Sequence, residues 1–172
     1  MNFSLEKAPA SLKILFTFFL LFVGVGYILG LMNINNNTGL SFTGVVVHYR
    51  GEANEEMPTE FASAKLVQEH HVHAFSLSML FVLVGVIFSF TRLPEGLKCC
   101  LVAAPFVGML LDFAGFWLLV FVSPLFAWLP IVFGGIMALS FFLLIGRPLY
   151  EIWILPIWHK KWGVEATPWF LR

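Results

Sequence analysis

Residues 101–146, LVAAPFVGMLLDFAGFWLLVFVSPLFAWLPIVFGGIMALSFFLLIG, decide the fold because they form two long apolar runs. The stretch contains one charged side chain, Asp112, and one evident break, at Ser123-Pro124. Each run has the length of about 20 residues that a helix needs to cross a bilayer. Since the break is so short, the two runs predict an antiparallel pair of membrane-spanning helices.

The composition of the whole chain supports a membrane protein. Of the 172 residues, 59% are apolar and 12% are charged, and the mean hydropathy is +0.88. Soluble domains have about 45–50% apolar and about 25% charged residues. Ten basic residues balance ten acidic ones, so no basic excess points to a nucleic-acid partner. The two cysteines, Cys99 and Cys100, are adjacent, which excludes a disulfide scaffold.

We therefore predict an all-α fold: a single-domain integral membrane four-helix bundle, 1–172, with a structured periplasmic loop and an interfacial amphipathic C-terminal tail. The predicted spans are about 12–32, 66–90, 97–122 and 125–146, with an outer loop at 33–65 and a tail at 147–172. The first run is too long for a signal peptide and lacks a small-residue cleavage site, so we expect a retained helix.

Both loop and tail have distinctive sequences. Val45–Tyr49 in the loop is a short β-prone or buried run, and 58–69 predicts an amphipathic helical lead-in to the second span. The tail is basic and has four tryptophans, Trp153, Trp158, Trp162 and Trp169. Tryptophans among basic residues are typical of a membrane interface.

The distribution of lysine and arginine predicts the orientation of the bundle. One side has eight of these residues: Lys7, Lys13, Arg92, Lys98, Arg147, Lys160, Lys161 and Arg172. The other side has only Arg50 and Lys65, among several glutamates. Cytoplasmic loops are enriched in Lys and Arg, so we expect a multi-pass protein of a bacterial inner membrane with both termini in the cytoplasm.

Histidines and one aspartate are the candidate functional residues. The chain has five histidines: His48, His70, His71, His73 and His159. Asp112 lies about 21 Å along its helix from Lys98, and His73 about 28 Å from Arg92, at 1.5 Å per residue. Both are therefore expected in the outer half of the membrane, where an ionisable side chain inside a span is a functional-site hypothesis by default.

Helical phase predicts which of these side chains face the bundle. His71 shares a face with the small residues Ser78, Gly85 and Ser89, and Asp112 shares one with Gly108 and Gly115. Small residues mark helix contacts in lipid, so we expect His71 and Asp112 to point inward. Side chains lean toward the N-terminus of their helix, which moves the histidines and Asp112 apart. Asp112 is thus expected to support a ligand or to be a separate proton acceptor.

Three kinds of site fit this set of residues. Imidazole is a common axial ligand of heme b and a good ligand for Cu or Zn, and a His/Asp pair can accept protons from a quinol. The cofactor-binding candidates are His71, His73, His70, His48 and Asp112, and the metal-ligand candidates are His71 and His73. The three histidines at 70, 71 and 73 cannot converge from a regular helix.

Several short motifs resemble a sparsely characterised family of bacterial four-span membrane proteins. They are Tyr49-x-Gly51, His71-Val-His73, Phe81–Phe90, Leu93-Pro-Glu-Gly-Leu-Lys98, Pro105-Phe106, Leu111-Asp112, Phe116-Trp117 and Phe126-Ala-Trp128-Leu129. Some members of that family have a c-type heme segment in the first outer loop, so the resemblance implies electron transfer and implicates His71, His73 and Asp112. This chain has no CxxCH motif, which excludes a covalent heme within it.

Together these observations predict a membrane subunit of a bacterial, respiratory-type electron-transfer complex that holds a non-covalent heme or a quinol-reactive site. The expected partners are the lipid bilayer and other membrane subunits or a periplasmic cytochrome, with no nucleic acid. One alternative is a cofactor-free accessory subunit that anchors a larger complex, and another is a Cu- or Zn-binding membrane protein. The isolated chain is not expected to be catalytic.

Overall fold

Helices make up almost all of the chain in the computed structural model, which describes residues 4–52, 55–56 and 59–162, and the side chains of 4–51 and 61–158. The helices are α1 (Ala10–Thr38), α2 (Phe42–Arg50), α3 (Thr59–Ser89), α4 (Glu95–Phe121), α5 (Trp128–Leu149) and α6 (Leu155–Trp162). Two strands of two residues, β1 (Gly51–Glu52) and β2 (Glu55–Glu56), pair antiparallel between α2 and α3. The prediction of an all-α bundle is confirmed.

Four helical segments within the described residues are long and apolar enough to cross a membrane: Ala10–Thr38, Phe61–Ser89, Glu95–Phe121 and Pro124–Trp158. The four predicted spans correspond to these segments. The fourth segment is longer than predicted: it continues to Trp158, whereas the sequence predicted an end at about residue 146.

The tightest helix contact joins α4 and α5 through two glycines of α4. A Cβ at Gly115 would lie 2.6 Å from Pro130 Cδ, and one at Gly108 would lie 3.1 Å from the Phe133 carbonyl oxygen. Small residues let helix backbones approach closely in lipid, where little hydrophobic drive holds helices together. The short connection through Ser123 and this glycine seam make α4 and α5 the predicted antiparallel hairpin.

The apolar core lies between α3 and this hairpin. Phe81, Val84 and Phe88 of α3 are fully buried and belong to one cluster with Met109 of α4 and Phe141 of α5. In contrast, the outer helix α1 buries only Leu20, Gly24 and Thr38 among its 29 residues. The protein is therefore a three-helix core with α1 on its periphery.

The segment Val45–Tyr49 is not a strand, so the β-prone interpretation of this run is wrong. It lies in α2, whose N-cap Ser41 accepts a hydrogen bond from the Gly44 N–H through its side chain. Val45 is buried, as the alternative interpretation predicted. A Cβ at Gly44 would lie 1.8 Å from the Thr38 carbonyl oxygen, so only glycine permits this turn from α1. The cap and the packing override β propensity here.

Helix α5, which forms most of the fourth span, continues through a π-helical turn, Tyr150–Ile154, into α6. The turn buries Glu151, whose side chain is 1% exposed. Its carboxylate accepts a hydrogen bond from the Arg147 side chain and another from the backbone N–H of Arg92. The side chain of Arg92 in turn pairs with Glu6, next to the N-terminus.

This network defines the two ends of the bundle. Glu6, in the N-terminal segment, and Glu151, after α5, meet Arg92 where α3 ends and α4 begins, and we call this the termini end. The opposite end, with α2 and the β-hairpin, is the loop end. The predicted interfacial tail includes Trp153, which is exposed and donates a hydrogen bond to Thr17 Oγ1. The side chains of Trp162 and Trp169 lie outside the described residues.

Candidate functional site

Polar and aromatic side chains from three helices meet at the loop end. We call this group the loop-end cluster. Its members are His48 and Tyr49 of α2, Lys65, Glu69 and His70 of α3, and Phe113, Phe116 and Trp117 of α4. The histidine at its centre is His70, because its ring contacts α4.

Two contacts fix the ring of His70. It stacks on Phe113 with ring centroids 4.1 Å apart and an interplanar angle of 13°. Trp117 Nε1 donates a hydrogen bond to His70 Nδ1 at 3.0 Å. An indole N–H is a donor only, so Nδ1 must carry the lone pair and the neutral ring keeps its proton on Nε2. His70 therefore presents an N–H donor at Nε2.

This tautomer bears on the predicted cofactor chemistry. A histidine that binds a metal through Nε2 normally donates its Nδ1–H to a neighbouring acceptor. His70 has the reverse arrangement, since its Nδ1 accepts. The Trp117 hydrogen bond therefore opposes metal or heme ligation by His70 and suits a ligand with a hydrogen-bond acceptor.

His71 does not face the bundle, so the predicted inward orientation is wrong. Its side chain is exposed and its ring contacts only Phe75 among the ring contacts recorded for the described residues, at 5.1 Å. The buried face of α3 is set by the large side chains of Phe81 and Phe88. At about 100° per residue, His70 lies within about 20° of both, whereas His71 lies about 80° from Phe81.

His73 is also exposed but has a defined tautomer. Its Nδ1 lies 2.8 Å from the carbonyl oxygen of Glu69, one helical turn before it. A carbonyl only accepts, so Nδ1 carries the proton and Nε2 has a free lone pair. His73 and His70 thus present opposite chemistry at Nε2, an acceptor and a donor, on one helix.

Tyr49 connects α2 to this part of α3. Its hydroxyl donates a hydrogen bond to Glu69 Oε2 at 2.9 Å, and its ring packs on Phe116 at 4.4 Å. Burial raises the pKa of Tyr49 well above its ordinary value of 10.0, and the neighbouring charge of Glu69 raises it further. Tyr49 therefore stays protonated and acts as a donor to Glu69.

His48 is held by Lys65 at the edge of the cluster. Lys65 Nζ lies 2.8 Å from His48 Nε2 and 5.0 Å from the centroid of the Tyr49 ring. Burial lowers the pKa of His48 below its ordinary value of 6.5, and the positive charge of Lys65 lowers it further. Since an ammonium only donates, Nε2 of His48 accepts this bond and is not free for a metal.

Asp112 lies apart from these contacts, in the seam between α4 and α5. Its carboxylate is 3.4 Å from the position that a Cβ of Gly134 would take. The expectation that Asp112 shares an inward face with Gly108 and Gly115 is confirmed, because both glycines are buried on the same seam. Within the described residues, no contact joins Asp112 to a histidine.

The described part of the chain contains no group of three or more His, Cys, Asp or Glu side chains that could hold a metal ion. The histidines are dispersed instead: His70 faces α4, His71 and His73 face outward, and His48 binds Lys65. The predicted role of His71 and His73 as ligands of a cofactor stays a prediction.

Sequence reasoning identified His48 and His70 but missed the other six members of the cluster, among them Tyr49, Glu69 and Trp117. Glu69 directly precedes His70 and lies four residues before His73, a spacing that places side chains on one helix face. This position of Glu69 beside the histidines was the sequence signal that could have identified it as a member of the site. The bond between Trp117 and His70 had no such signal, because it depends on how α3 and α4 pack.

Fold and site define a four-span helical membrane protein with a polar cluster at one end of its bundle. A family model for a transmembrane helical domain, Aq_1264_TM, matches residues 39–159. This match covers well over half of the chain, and the protein belongs to that family. Comparisons with curated proteins and with solved structures gave no match.

Proposed function

We propose that the chain is a membrane subunit of an electron-transfer complex and that its loop-end cluster binds the head group of a quinone or quinol. The hydrogen bond from Trp117 to His70 carries this proposal. It leaves Nε2–H as the donor of a His70 ring that stacks on Phe113 of α4. A quinone head group offers the matching acceptor, a carbonyl oxygen, on a flat ring that suits aromatic surroundings.

The same cluster contains a proton acceptor for the reduced form. Oxidation of a quinol to a quinone releases two electrons and two protons. The carboxylate of Glu69, oriented by Tyr49, takes one proton from a quinol hydroxyl and passes it to water at the loop end before the second proton leaves. The electrons pass to a redox centre of a partner subunit or a periplasmic cytochrome.

The distribution of charged residues supports release of these protons outside the cytoplasm. Lysine and arginine are concentrated toward the termini end, whereas the loop end has only Arg50 and Lys65. By the positive-inside rule, this distribution supports a bacterial inner-membrane protein with both termini in the cytoplasm and the cluster near the periplasmic face.

A binding titration tests the proposal. A short-chain ubiquinone is added to the purified chain in lipid nanodiscs, and quenching of tryptophan fluorescence is followed, since Trp117 lies in the cluster. We expect saturable quenching that His70→Leu weakens strongly. The matched variant His71→Leu changes the adjacent, outward-facing histidine and should leave the affinity unchanged. Equal affinity for the wild type and His70→Leu, or no saturable quenching, would contradict the proposal.

A second candidate, a non-covalent heme b, is favoured by one observation at His73. Its Nδ1–H is bound to the Glu69 carbonyl, which leaves Nε2 free, as in an axial heme ligand. Because His73 is exposed, the heme and its other ligand would lie between this chain and a partner. A reduced-minus-oxidised absorption spectrum of the native assembly should then show a b-type band that His73→Ala abolishes and His71→Ala preserves. Absence of the band, or its survival in His73→Ala, would exclude this candidate.

A further inference from the structure

Asp112 is an ionisable side chain deep within a membrane-spanning helix. It lies 17 residues after the start of α4, or about 26 Å along the axis at 1.5 Å per residue. That position is about 6 Å from the middle of the helix, inside a hydrocarbon core about 30 Å thick. Membrane depth therefore removes the bulk water that normally solvates a carboxylate.

The helix seam leaves this carboxylate without a donor. Gly108 and Gly115 hold α4 against α5 one turn before and one turn after Asp112, and Gly134 faces it with bare backbone. Within the residues that the structure describes, no hydrogen bond to the carboxylate is formed. Glu151 shows the contrast, since its buried carboxylate is bound by Arg147 and by the Arg92 N–H.

Among the side chains that the structure describes, the titratable groups around Asp112 provide no positive charge. Tyr27 of α1 and Tyr49 of α2 interact with its charge, and both are phenols that are neutral near pH 7. On α3, Glu69 and His70 are engaged in the loop-end cluster, and α5 presents Gly134. An ionised carboxylate without a partner or a donor is costly in an apolar medium, whereas the neutral acid is much less so.

We propose that Asp112 is a proton-binding site within the membrane, reached from the side of Gly134, which lies next to its carboxylate, and distinct from the loop-end cluster. It holds its proton in the resting protein and exchanges it toward the loop end, where the Tyr49 hydroxyl donates a hydrogen bond to Glu69. In the exchange the O–H bond of the carboxylic acid breaks and the proton binds to water at the loop end, and reprotonation of the carboxylate reverses both changes. The inference does not depend on quinone binding.

Labelling with dicyclohexylcarbodiimide tests this site, because this apolar reagent reacts with protonated carboxyl groups inside membranes. The full chain in native membranes is treated over a range of pH and mapped by mass spectrometry. We expect labelling at Asp112 that decreases as the pH rises, and none at Glu151. Asp112→Asn should lose the label, and its melting temperature in detergent checks that it is folded.

Two glycine variants test the access route. Gly134→Val places a side chain against the carboxylate and should slow labelling of Asp112 severalfold. Gly135→Val is the matched control, since a Cβ at Gly135 meets no atom within 4 Å, and it should label like the wild type. No labelling of Asp112 at any pH, equal labelling of Glu151, or protection by sodium ions at constant pH would overturn the proposal, the last because it indicates a metal cation.

Discussion

Trp117 Nε1 lies 3.0 Å from His70 Nδ1, and this single hydrogen bond sets the chemistry of the loop-end cluster. It fixes the proton of the neutral His70 ring on Nε2, because an indole cannot accept. His73, three residues on, has the opposite tautomer through the Glu69 carbonyl. Backbone and indole contacts thus assign a donor role to one histidine and an acceptor role to the other.

Trp117→Phe removes the donor and keeps an aromatic ring in its place. His70 should then populate both neutral tautomers, which ¹⁵N NMR of labelled histidine detects. One hydrogen bond contributes about 0.5–1.5 kcal/mol, so quinone affinity should fall about 2- to 10-fold. Trp153→Phe, which removes an indole bond to Thr17 at the termini end, is the control. A single unchanged His70 tautomer in Trp117→Phe would refute the assigned role of Trp117.

Glu151→Ala should destabilise the protein by about 3 kcal/mol, since removing one partner of a buried ion pair leaves the other charge uncompensated. The change also removes the acceptor for the Arg92 N–H. The control is Glu95→Ala: its side chain is 78% exposed and pairs with Lys98, and a change within about 1 kcal/mol is expected. Chemical unfolding in detergent measures both, and equal effects would argue against the buried network.

Gly115→Ala tests the close contact between α4 and α5. The added Cβ would lie 2.6 Å from Pro130 Cδ and 2.7 Å from Leu129 Cβ, so the helices must separate. Overpacking of this kind lowers the free energy of unfolding by about 1–3 kcal/mol. Gly146→Ala, where a Cβ meets no atom within 4 Å, should not destabilise the fold. Similar melting temperatures for the two variants would show that the seam is not tight.

The pH dependence of the α2 contact follows from the lowered pKa of His48. Between that pKa and the ordinary value of 6.5, the unfolded chain binds more protons than the folded one. Stability therefore increases with pH across this window, is fully present above 6.5, and is lost as the pH falls through the folded pKa. Titration of the histidines by NMR should give a pKa of His48 below 6.5.

Lys65→Met separates the two causes of that shift. Removing the positive charge should raise the pKa of His48, but not to 6.5, because burial is the larger cause. A pKa that is unchanged or lower in Lys65→Met would contradict the contact between Lys65 and His48.

The spans could be predicted from the sequence because hydropathy and length are properties of local segments. The inward position of Asp112 was also predictable, since Gly108 and Gly115 on its face mark a close helix contact. For α3 the same rule selected His71 and failed. There the packing face is set by large side chains such as Phe81 and Phe88 together with the buried Gly85, and His71 lies outside it.

Two further features depend on contacts that a sequence does not encode locally. The fourth span was predicted to end at about residue 146, but the helix continues through a π-helical turn in which Glu151 gains partners from Arg147 and Arg92. Prolines are tolerated in such helices where neighbouring groups satisfy the freed backbone atoms. The Trp117–His70 bond likewise requires the final packing of α4 on α3.

Photoaffinity labelling with an azidoquinone, on the full chain in native membranes, tests the quinone site most directly. The account predicts label on α3 around Glu69–His73 and on α4 around Phe113–Trp117, prevented by excess quinone and strongly reduced in His70→Leu. Label that is confined to other segments, or that excess quinone does not prevent, would contradict a quinone site at the loop end.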